Sequence, residues 1–399
     1  MVSSITASRH RLMEINIVVA YLLVMFKSMN LYFTWFIPSL LIYAYAFVVS
    51  VLLVFCRWRK IRYVAKEQLI SGVLLMVILF YDIVFRVPMT FISQLCAVLS
   101  LVISVILIFA EKDIKQKILD TYIKVLKWLV GISLFFWILF LLGAPLPHYY
   151  SDTSVFYQHT VYYFFLLNGQ PGFQIVPRFA GLFLEPGHVG TTCCFALFIE
   201  RFNLKKSSSW IFLIAILLSF SLAAYGLLIG SLLLYLITKR KGIMYVGLSL
   251  FLFGIVVFVS ININRGDNLL NNYIFSRLEI VDGGLAGNNR TSTVLENTYR
   301  RYIETNEKWF GAGRSVYESN SDVNLLVGSA GTKRFIYLYG IVGLSLVLLF
   351  FVFYAFSSKS ILSLSFLIVF IVANMIRDYP LKELWLYTYI LSVPLFKER

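Results

Sequence analysis

Long apolar runs recur along this chain and constrain its fold more than any other feature. An α-helix needs about 20 predominantly apolar residues to cross the hydrocarbon core of a membrane. Because 59% of the residues are hydrophobic and only 14% are charged, the composition excludes a soluble globular fold, a disordered chain and a coiled coil. We predict an all-α polytopic membrane protein. The runs that reach or approach the required length are Leu31–Phe55, Gln68–Phe85, Pro88–Ala110, Trp128–Leu142, Leu182–Ile199, Ile243–Ile261 and Tyr337–Phe356, and shorter ones are Leu12–Phe26, Ile361–Ile376 and Leu384–Phe396.

One further run, Trp210–Thr238, is too long for one untilted span and short for two. Basic clusters flank it, with Lys205 and Lys206 before it and Lys239–Lys241 after it. Cytoplasmic loops carry the excess of Lys and Arg, so the two clusters belong on the same side of the membrane. We therefore predict a break near Ser221 into two short or re-entrant helices. This gives about 12 transmembrane helices (10–12) with both termini cytoplasmic, whereas a single crossing would separate the clusters.

The net charge of +15 follows the same topology. The segments assigned to the cytoplasm hold 21 of the 35 basic residues and 6 of the 20 acidic ones, so the whole excess lies there. Such a charge orients the bundle and attracts anionic lipid headgroups. We therefore expect membrane lipids, and no nucleic acid, among the partners.

Two long segments fall on the outer side of this topology. The longer one contains Thr293 followed by Glu296, a capping box that starts a helix. We predict an amphipathic helix from Thr293 to Phe310, with Tyr299 on its apolar face and Gly311 as its C-terminal stop. The resulting divisions are an N-terminal transmembrane bundle of five spans (1–142), a first outer loop (143–180), central transmembrane helices (181–261), a long outer loop (262–335) and C-terminal transmembrane helices (336–399).

The stretch RFAGLFLEPGHVG, Arg178–Gly190, places three ionisable side chains where the first outer loop enters a span. Ionisable groups at that depth are unfavourable unless they are paired or face a water-filled cavity, and they mark functional sites. Glu185 and His188 are three residues apart, so a helix through them puts both on one face. We name Arg178, Glu185 and His188 as candidate catalytic residues. The alternative is an ion pair between Glu185 and Arg178 that only anchors the loop.

A second set of candidates surrounds the predicted outer helix. Arg290 lies just before Thr293, where the unpaired N–H groups of a helix N-terminus favour anions such as phosphate. Arg314 follows the helix in Gly311-Ala-Gly-Arg, where two glycines allow close backbone approach. The alternatives are a solvated helix cap beside a surface arginine and an ordinary turn. The remaining candidates for binding pyrophosphate and sugar are Arg300, Arg301, Lys333, Arg334, Tyr299 and Trp309.

The sequence indicates no cofactor and no metal. It contains no Walker A, GxSxG or HExxH motif, no acidic DxD-like pair on the outer loops, and only four histidines. Asp82 lies within an early span and could relay protons. Arg86, one turn later, favours an internal ion pair instead.

These residues resemble a known family. The Arg178–Gly190 motif is followed by a long outer loop with NNR and WFGAGR, and then by KRFIYLYGIVG (Lys333–Gly343) at the start of a span. This order resembles the bacterial O-antigen and capsular polysaccharide polymerases of the Wzy type, within the O-antigen polymerase and ligase superfamily. The resemblance covers about two thirds of the chain. It implies a GT-C-like bundle in the bacterial inner (cytoplasmic) membrane, with the active site on the periplasmic face.

The resemblance also implies an activity, which is glycosyl transfer between oligosaccharide repeat units carried on undecaprenyl pyrophosphate. A chain-length regulator and a flippase are the implied protein partners. Because the donor already has a good leaving group, the enzyme needs cations to hold the pyrophosphate and a base for the acceptor hydroxyl. We expect Arg178, Arg290 and Arg314 to supply the cations without a metal. Glu185 is either that base or the residue that orients His188.

Two alternative functions remain from the sequence. O-antigen ligases share this architecture but usually carry a histidine in the late outer loop, and the segment 262–334 has none. A flippase for the same lipid-linked repeat would need repeated halves and charges at the membrane midplane. The sequence contains no evident internal repeat, and its polar groups concentrate on the outer loops.

Overall fold

The computed structural model describes residues 2–61, 66–85, 90–151, 159–162, 166–169, 177–239, 293–313, 331–377 and 379–396, with Gly247, Phe258, Asn262 and four strand residues at 280–281 and 284–285. Its helices are α1 (Val2–Ser28), α2 (Ser39–Ile61), α3 (Lys66–Phe85), α4 (Phe91–Phe109), α5 (Lys112–Leu141), α6 (Pro186–Ile199), α7 (Ser207–Leu218), α8 (Leu222–Ile237), α9 (Thr293–Tyr302), α10 (Thr332–Ser357), α11 (Ile361–Arg377) and α12 (Glu383–Ser392). Its strands are β1 (His148–Ser151), β2 (His159–Tyr162), β3 (Leu166–Gly169), β4 (Ile280–Val281) and β5 (Gly284–Leu285).

The helices are those of a membrane protein. Five of them, α2, α3, α4, α5 and α10, are long and apolar enough to cross a membrane. Four further helices, α6, α7, α8 and α11, are apolar but shorter. The predicted helical membrane architecture is thus confirmed at this level, while the number of crossings stays a prediction.

The first outer segment contains a small sheet, which the all-α prediction did not include. β1, β2 and β3 are antiparallel neighbours in that order, so that Thr160 of β2 pairs with Tyr150 and with Asn168. Val161 is fully buried and packs with Tyr32. The β-branched and aromatic residues of β2 favour a strand. These strands were not predicted because the segment has no long apolar run and was assigned only as a loop.

The long run after α6 breaks into α7 and α8 at Ser219–Ser221, which confirms the predicted break. Ser208, at the start of α7, donates to Glu200 at the end of α6. Tyr235, near the end of α8, packs on Phe198, also near the end of α6. α7 therefore runs back along α6 and α8 runs forward again. Lys205 and Lys206, before α7, and Lys239, after α8, therefore lie at one end of the bundle, as the sequence predicted.

These three helices are short for a membrane. At 1.5 Å per residue, the 14 residues of α6, the 12 of α7 and the 16 of α8 rise about 21, 18 and 24 Å. The hydrocarbon core is about 30 Å thick. If the basic clusters lie at one membrane surface, the start of α6 and the reversal between α7 and α8 lie below the other surface.

The outer helix differs from its prediction at one end. α9 begins at Thr293 as expected but ends at Tyr302, before Phe310, and a 3₁₀ turn at Asn306–Lys308 follows. Gly311, at φ +92°, does not end that helix. A Cβ added to Gly311 would lie 2.7 Å from the carbonyl carbon of Leu338 in α10, so the glycine permits close contact between two backbones.

α10 is broken at Gly340, which has a φ of +68°. The segment after α9, residues 303–312, is called the outer turn because it belongs to the predicted outer loop. It completes the interrupted hydrogen-bond ladder, since Ala312 N donates to Tyr337 O and Val342 N donates to Trp309 O, both at 2.9 Å. The Tyr81 hydroxyl of α3 donates to Tyr339 O at 2.9 Å. Non-helical backbone at membrane depth requires such partners. The first half of α10 is thereby held beneath the outer turn.

α12 forms the centre of the bundle, and all its residues from Leu384 to Ser392 are buried. The start of α12 contacts the end of α1, where Leu384 N donates to Ser28 Oγ at 2.9 Å. One turn along, Tyr387 shares a hydrogen bond with Ser104 of α4. Trp137, near the end of α5, packs on Phe179, whose N–H donates to Leu218 O at the end of α7. Arg377, at the end of α11, pairs with Glu185 beside α6, Thr332 of α10 donates to Met375 O, and Tyr379 packs on both His188 of α6 and Trp385 of α12. The ends of α1, α5, α7 and α11 and the starts of α6, α10 and α12 therefore meet at one end of the bundle, called the site end below.

Candidate active site at the start of α6

The motif that the sequence singled out forms the beginning of α6. Glu185 has extended backbone geometry at the N-cap, and Pro186 occupies the first helical turn. A proline suits that position because its missing N–H would have no intrahelical partner. His188 N then donates to Glu185 O at 3.0 Å. The local sequence thus places the Glu185 and His188 side chains on one turn at the site end.

The Glu185 carboxylate is the centre of an ionic cluster. Its Oε2 accepts a hydrogen bond from Nη1 of Arg377, the last residue of α11, at 2.5 Å. His188 Nε2 lies 3.9 Å from the same oxygen. The side chains of Arg377 and His188 are 6% and 8% exposed, whereas that of Glu185 is 27% exposed. Of the three, Glu185 is the most exposed to solvent.

Gly187 makes room for this cluster. A Cβ on Gly187 would lie 2.7 Å from Cζ of Arg377 and nearer still to Nη2, so the guanidinium crosses the first turn of α6 at van der Waals distance from its backbone. Gly190 serves helix packing instead, because a Cβ there would lie 2.5 Å from the Cβ of Ala224 in α8. The Glu-Pro-Gly-His sequence is therefore shaped around a cation from a distant helix.

Arg178 binds the reversal between α7 and α8. Its Nε donates to Ser219 O at 3.1 Å, and the next residue, Phe179, donates its N–H to Leu218 O at 3.0 Å. The ion pair of Glu185 that the structure describes is with Arg377, not with Arg178. Ser219 itself borders α6, since its Oγ lies 3.3 Å from the position of a Cβ on Gly190. Through Ser219, Arg178 is connected to α6 about one half-turn beyond His188.

The start of α10 borders the end of α11. A Cβ on Gly331 would lie 2.7 Å from the carbonyl oxygen of Met375, and Thr332 Oγ1 donates to that oxygen at 3.4 Å. Met375 is two residues before Arg377. Lys333 and Arg334 are consequently in the same neighbourhood of the site end as the Glu185 cluster.

Lys333 is bound to the outer helix. Its Nζ donates to both carboxylate oxygens of Glu296 at 2.6 Å and lies 5.8 Å from the centre of the Tyr299 ring. Glu296, which the sequence placed in a capping box, thus contacts α10. Because the two charged side chains are 42% and 37% exposed, solvent screens this pair.

Other predicted binding residues are exposed to solvent. Arg300 and Arg301 are exposed on α9, and Trp309 is 49% exposed on the outer turn. Tyr302 fixes that turn, since the one proton of its hydroxyl is shared between Glu307 O at 2.9 Å and Ile336 O at 3.1 Å. Burial raises the pKa of the Tyr302 phenol, with the Glu307 carboxylate as a second cause, so this donor keeps its proton.

Three arginines that the sequence singled out cannot be placed. Arg290 and Arg314 lie outside the described residues, and so does Arg86, the expected partner of Asp82. The Asp82 carboxylate accepts a hydrogen bond from the Tyr339 hydroxyl at 2.6 Å. Within the described ranges, no group of three or more His, Cys, Asp or Glu side chains is placed to hold a metal ion.

Arg377 and Tyr379 belong to the cluster but were not among the residues predicted from the sequence. Tyr379 lies with its ring centre 5.4 Å from that of His188 and continues to Trp385 of α12 at 5.8 Å. The signal for Arg377 was present, because an arginine directly after an apolar run is as unfavourable in a membrane as the charges of the Arg178–Gly190 motif. Its pairing with Glu185, 192 residues away, could not be deduced from spacing.

No protein family, curated protein or solved structure matches this chain.

Proposed function

We propose that this protein is a metal-independent glycosyltransferase that polymerises oligosaccharide repeat units carried on undecaprenyl pyrophosphate. The observation that carries the proposal is the Glu185 carboxylate, which is partly exposed and lies against buried Arg377 and His188 at the site end of an apolar bundle. A carboxylate supplies the base that an acceptor hydroxyl needs, and the surrounding cations suit a phosphorylated leaving group.

The reaction assigns one step to each group. Glu185 takes the proton of an acceptor hydroxyl on one lipid-linked repeat. The acceptor oxygen bonds to the anomeric carbon of the growing glycan, and the bond from that carbon to the pyrophosphate breaks. The electron pair leaves on undecaprenyl pyrophosphate, where cations stabilise the charge. His188 Nε2 lies beside the carboxylate, 3.9 Å from Glu185 Oε2, and is the second titratable group of the proposed site.

The remaining candidates have supporting roles in this proposal. Arg178, at the α7–α8 reversal, and Lys333 and Arg334, at the start of α10, are the described cations near Glu185 that supply positive potential for the pyrophosphate. Arg290 and Arg314 stay proposed for the same task. Exposed Trp309 offers a flat apolar face for a sugar ring. We place the site end on the periplasmic side of the inner membrane, with both termini in the cytoplasm.

The test is complementation of a deletion strain. We expect Glu185→Gln and Arg178→Ala to abolish long-chain polysaccharide on a gel, while single repeat units accumulate on the outer side of the membrane. Glu304→Gln is the matched control, because it removes an exposed carboxylate of the outer segment without touching the cluster. Normal chain length with Glu185→Gln would contradict the proposal, and repeat units retained inside the deletion strain would indicate a flippase.

A further inference from the structure

The Arg377 guanidinium has more donors than the described acceptors around it. It offers five N–H groups. Nη1 binds Glu185 Oε2, whereas the buried Nε has no hydrogen-bond partner among the described residues. A buried N–H without an acceptor is unfavourable, and one carboxylate oxygen satisfies only part of a guanidinium. This arrangement fits a cation that binds a ligand with several acceptor oxygens.

The ion pair is accessible from the Glu185 side. Arg377 is 6% exposed and Glu185 is 27% exposed, so an anion would meet the carboxylate first and compete with it. Gly187 places no side chain between the guanidinium and the first turn of α6. Release of the guanidinium therefore requires a movement of the Glu185 side chain.

Charge in this region favours an incoming anion. Among the described residues of the site end and its border, the cations are Lys27, Arg178, Lys333, Arg334, Arg377 and Lys382, and the carboxylates are Asp82, Glu185, Glu296 and Glu383. A pyrophosphate diester carries two negative charges and several acceptor oxygens, which matches this excess better than a single carboxylate does. Arginine also binds phosphate oxygens bidentately.

We propose that donor binding exchanges the partner of Arg377. A phosphate oxygen of the polyprenyl pyrophosphate takes the guanidinium, and the displaced Glu185 carboxylate turns to the acceptor hydroxyl as the base. The exchange rests on the function proposed above. It adds that the donor binds to Arg377 before Glu185 acts on the acceptor hydroxyl. A carboxylate held by an arginine is a weak base, because the cation stabilises its charged form. Release by the donor thus couples base strength to the presence of the leaving group.

The exchange itself forms and breaks no covalent bond. In the transfer that follows, the acceptor O–H proton moves to Glu185 and the electron pair of the breaking C–O bond moves to the pyrophosphate. Arg377 then neutralises the charge that develops on the leaving group. One cation therefore restrains the base before the donor arrives and stabilises the leaving group afterwards.

Ligand binding tests the exchange separately from catalysis. The probes are farnesyl pyrophosphate, inorganic pyrophosphate and farnesol, titrated into the full-length protein in phosphatidylcholine nanodiscs. Because a charged competitor is removed, Glu185→Gln should tighten farnesyl pyrophosphate binding by about tenfold. Arg377→Gln should weaken it by about tenfold or more. Lys308→Gln, which removes one positive charge from the outer turn, should change it by less than about twofold.

The direction of the Glu185→Gln effect is decisive, because a misfolded variant would not bind more tightly. Unchanged or weaker binding by Glu185→Gln would overturn the exchange, as would equal binding of farnesol and farnesyl pyrophosphate. If inorganic pyrophosphate shows the same pattern, the pyrophosphate alone is recognised. If only farnesyl pyrophosphate shows that pattern, the protein recognises the lipid-linked pyrophosphate.

The two proposals fail in different ways. Tighter binding by Glu185→Gln together with normal polymerisation would retain the exchange and reject Glu185 as the base. Lost polymerisation with unchanged binding would retain the base and reject the exchange.

Discussion

Replacement of Gly187 by alanine tests the geometry of the cluster without removing a charge. The new Cβ would lie 2.7 Å from Cζ of Arg377, whereas carbon atoms pack best at about 3.5–4.0 Å. The guanidinium would have to retreat by more than roughly 1 Å, because its Nη2 lies nearer still, and such a shift takes the 2.5 Å bond to Glu185 past the limit of a hydrogen bond at about 3.5 Å.

Two terms set the size of the effect. Loss of a charge-assisted hydrogen bond costs about 1.5–3 kcal/mol. Alanine is favoured over glycine in a helix by about 0.5–1 kcal/mol. We therefore expect the free energy of unfolding to fall by about 1–2 kcal/mol. Displacement of a catalytic group by about 1 Å can reduce turnover by about a hundredfold.

The assay is thermal unfolding in detergent together with chain length in the complemented strain. Gly226→Ala and Gly230→Ala in α8 are the controls, because a Cβ at either position meets no atom within 4 Å. They should increase stability by about 0.5–1 kcal/mol. In an Arg377→Ala background, Gly187→Ala should also become stabilising. If Gly187→Ala stabilised the wild-type protein as the controls do, the proposed position of Arg377 over α6 would be refuted.

Further predictions concern topology and the outer turn. Cysteines introduced at Lys205 and Lys239 should be labelled by an impermeant reagent from the same side of the membrane, and labelling from opposite sides would contradict the α7–α8 reversal. Gly340→Ala should lower stability by more than about 2 kcal/mol in thermal unfolding, because its φ is +68° and the added Cβ would meet backbone atoms, including Gly311 N at 2.6 Å. A neutral result would show that the break in α10 is absent. Tyr302→Phe removes the one donor that Glu307 O and Ile336 O share and should cost about 1–3 kcal/mol. Because the folded pKa of Tyr302 is raised above 10.0, the stability from its phenol should be complete below pH 10 and decline as the pH rises further, whereas the Tyr302→Phe variant should lack that decline.

Local patterns predicted local structure well. The break at Ser219–Ser221 followed from run length and flanking charge, and the start of α9 at Thr293 followed from a capping box. The predicted end of α9 was wrong because Gly311 does not stop that helix. It allows the backbone of α10 to approach closely at Leu338 and Gly340, which no residue near Gly311 in the sequence could reveal.

The candidate site was predictable only in part, for the same physical reason. The Arg178–Gly190 motif was recognisable because charged groups at the membrane edge are unfavourable without partners. The identity of the partner depended on how α11 packs against α6, which separates Glu185 from Arg377 by 192 residues in the chain. Gly187 has a packing role through its close approach to Arg377, which nothing near it in the sequence indicates.

The most direct test of the proposed function uses purified protein with a synthetic undecaprenyl pyrophosphate-linked repeat unit. The wild type should convert single units into a ladder of longer glycans and release undecaprenyl pyrophosphate in equal number to the linkages formed. Glu185→Gln, confirmed as folded by thermal unfolding, should produce neither. A ladder formed by Glu185→Gln at the wild-type rate, or no ladder from the folded wild type, would contradict the function that we propose.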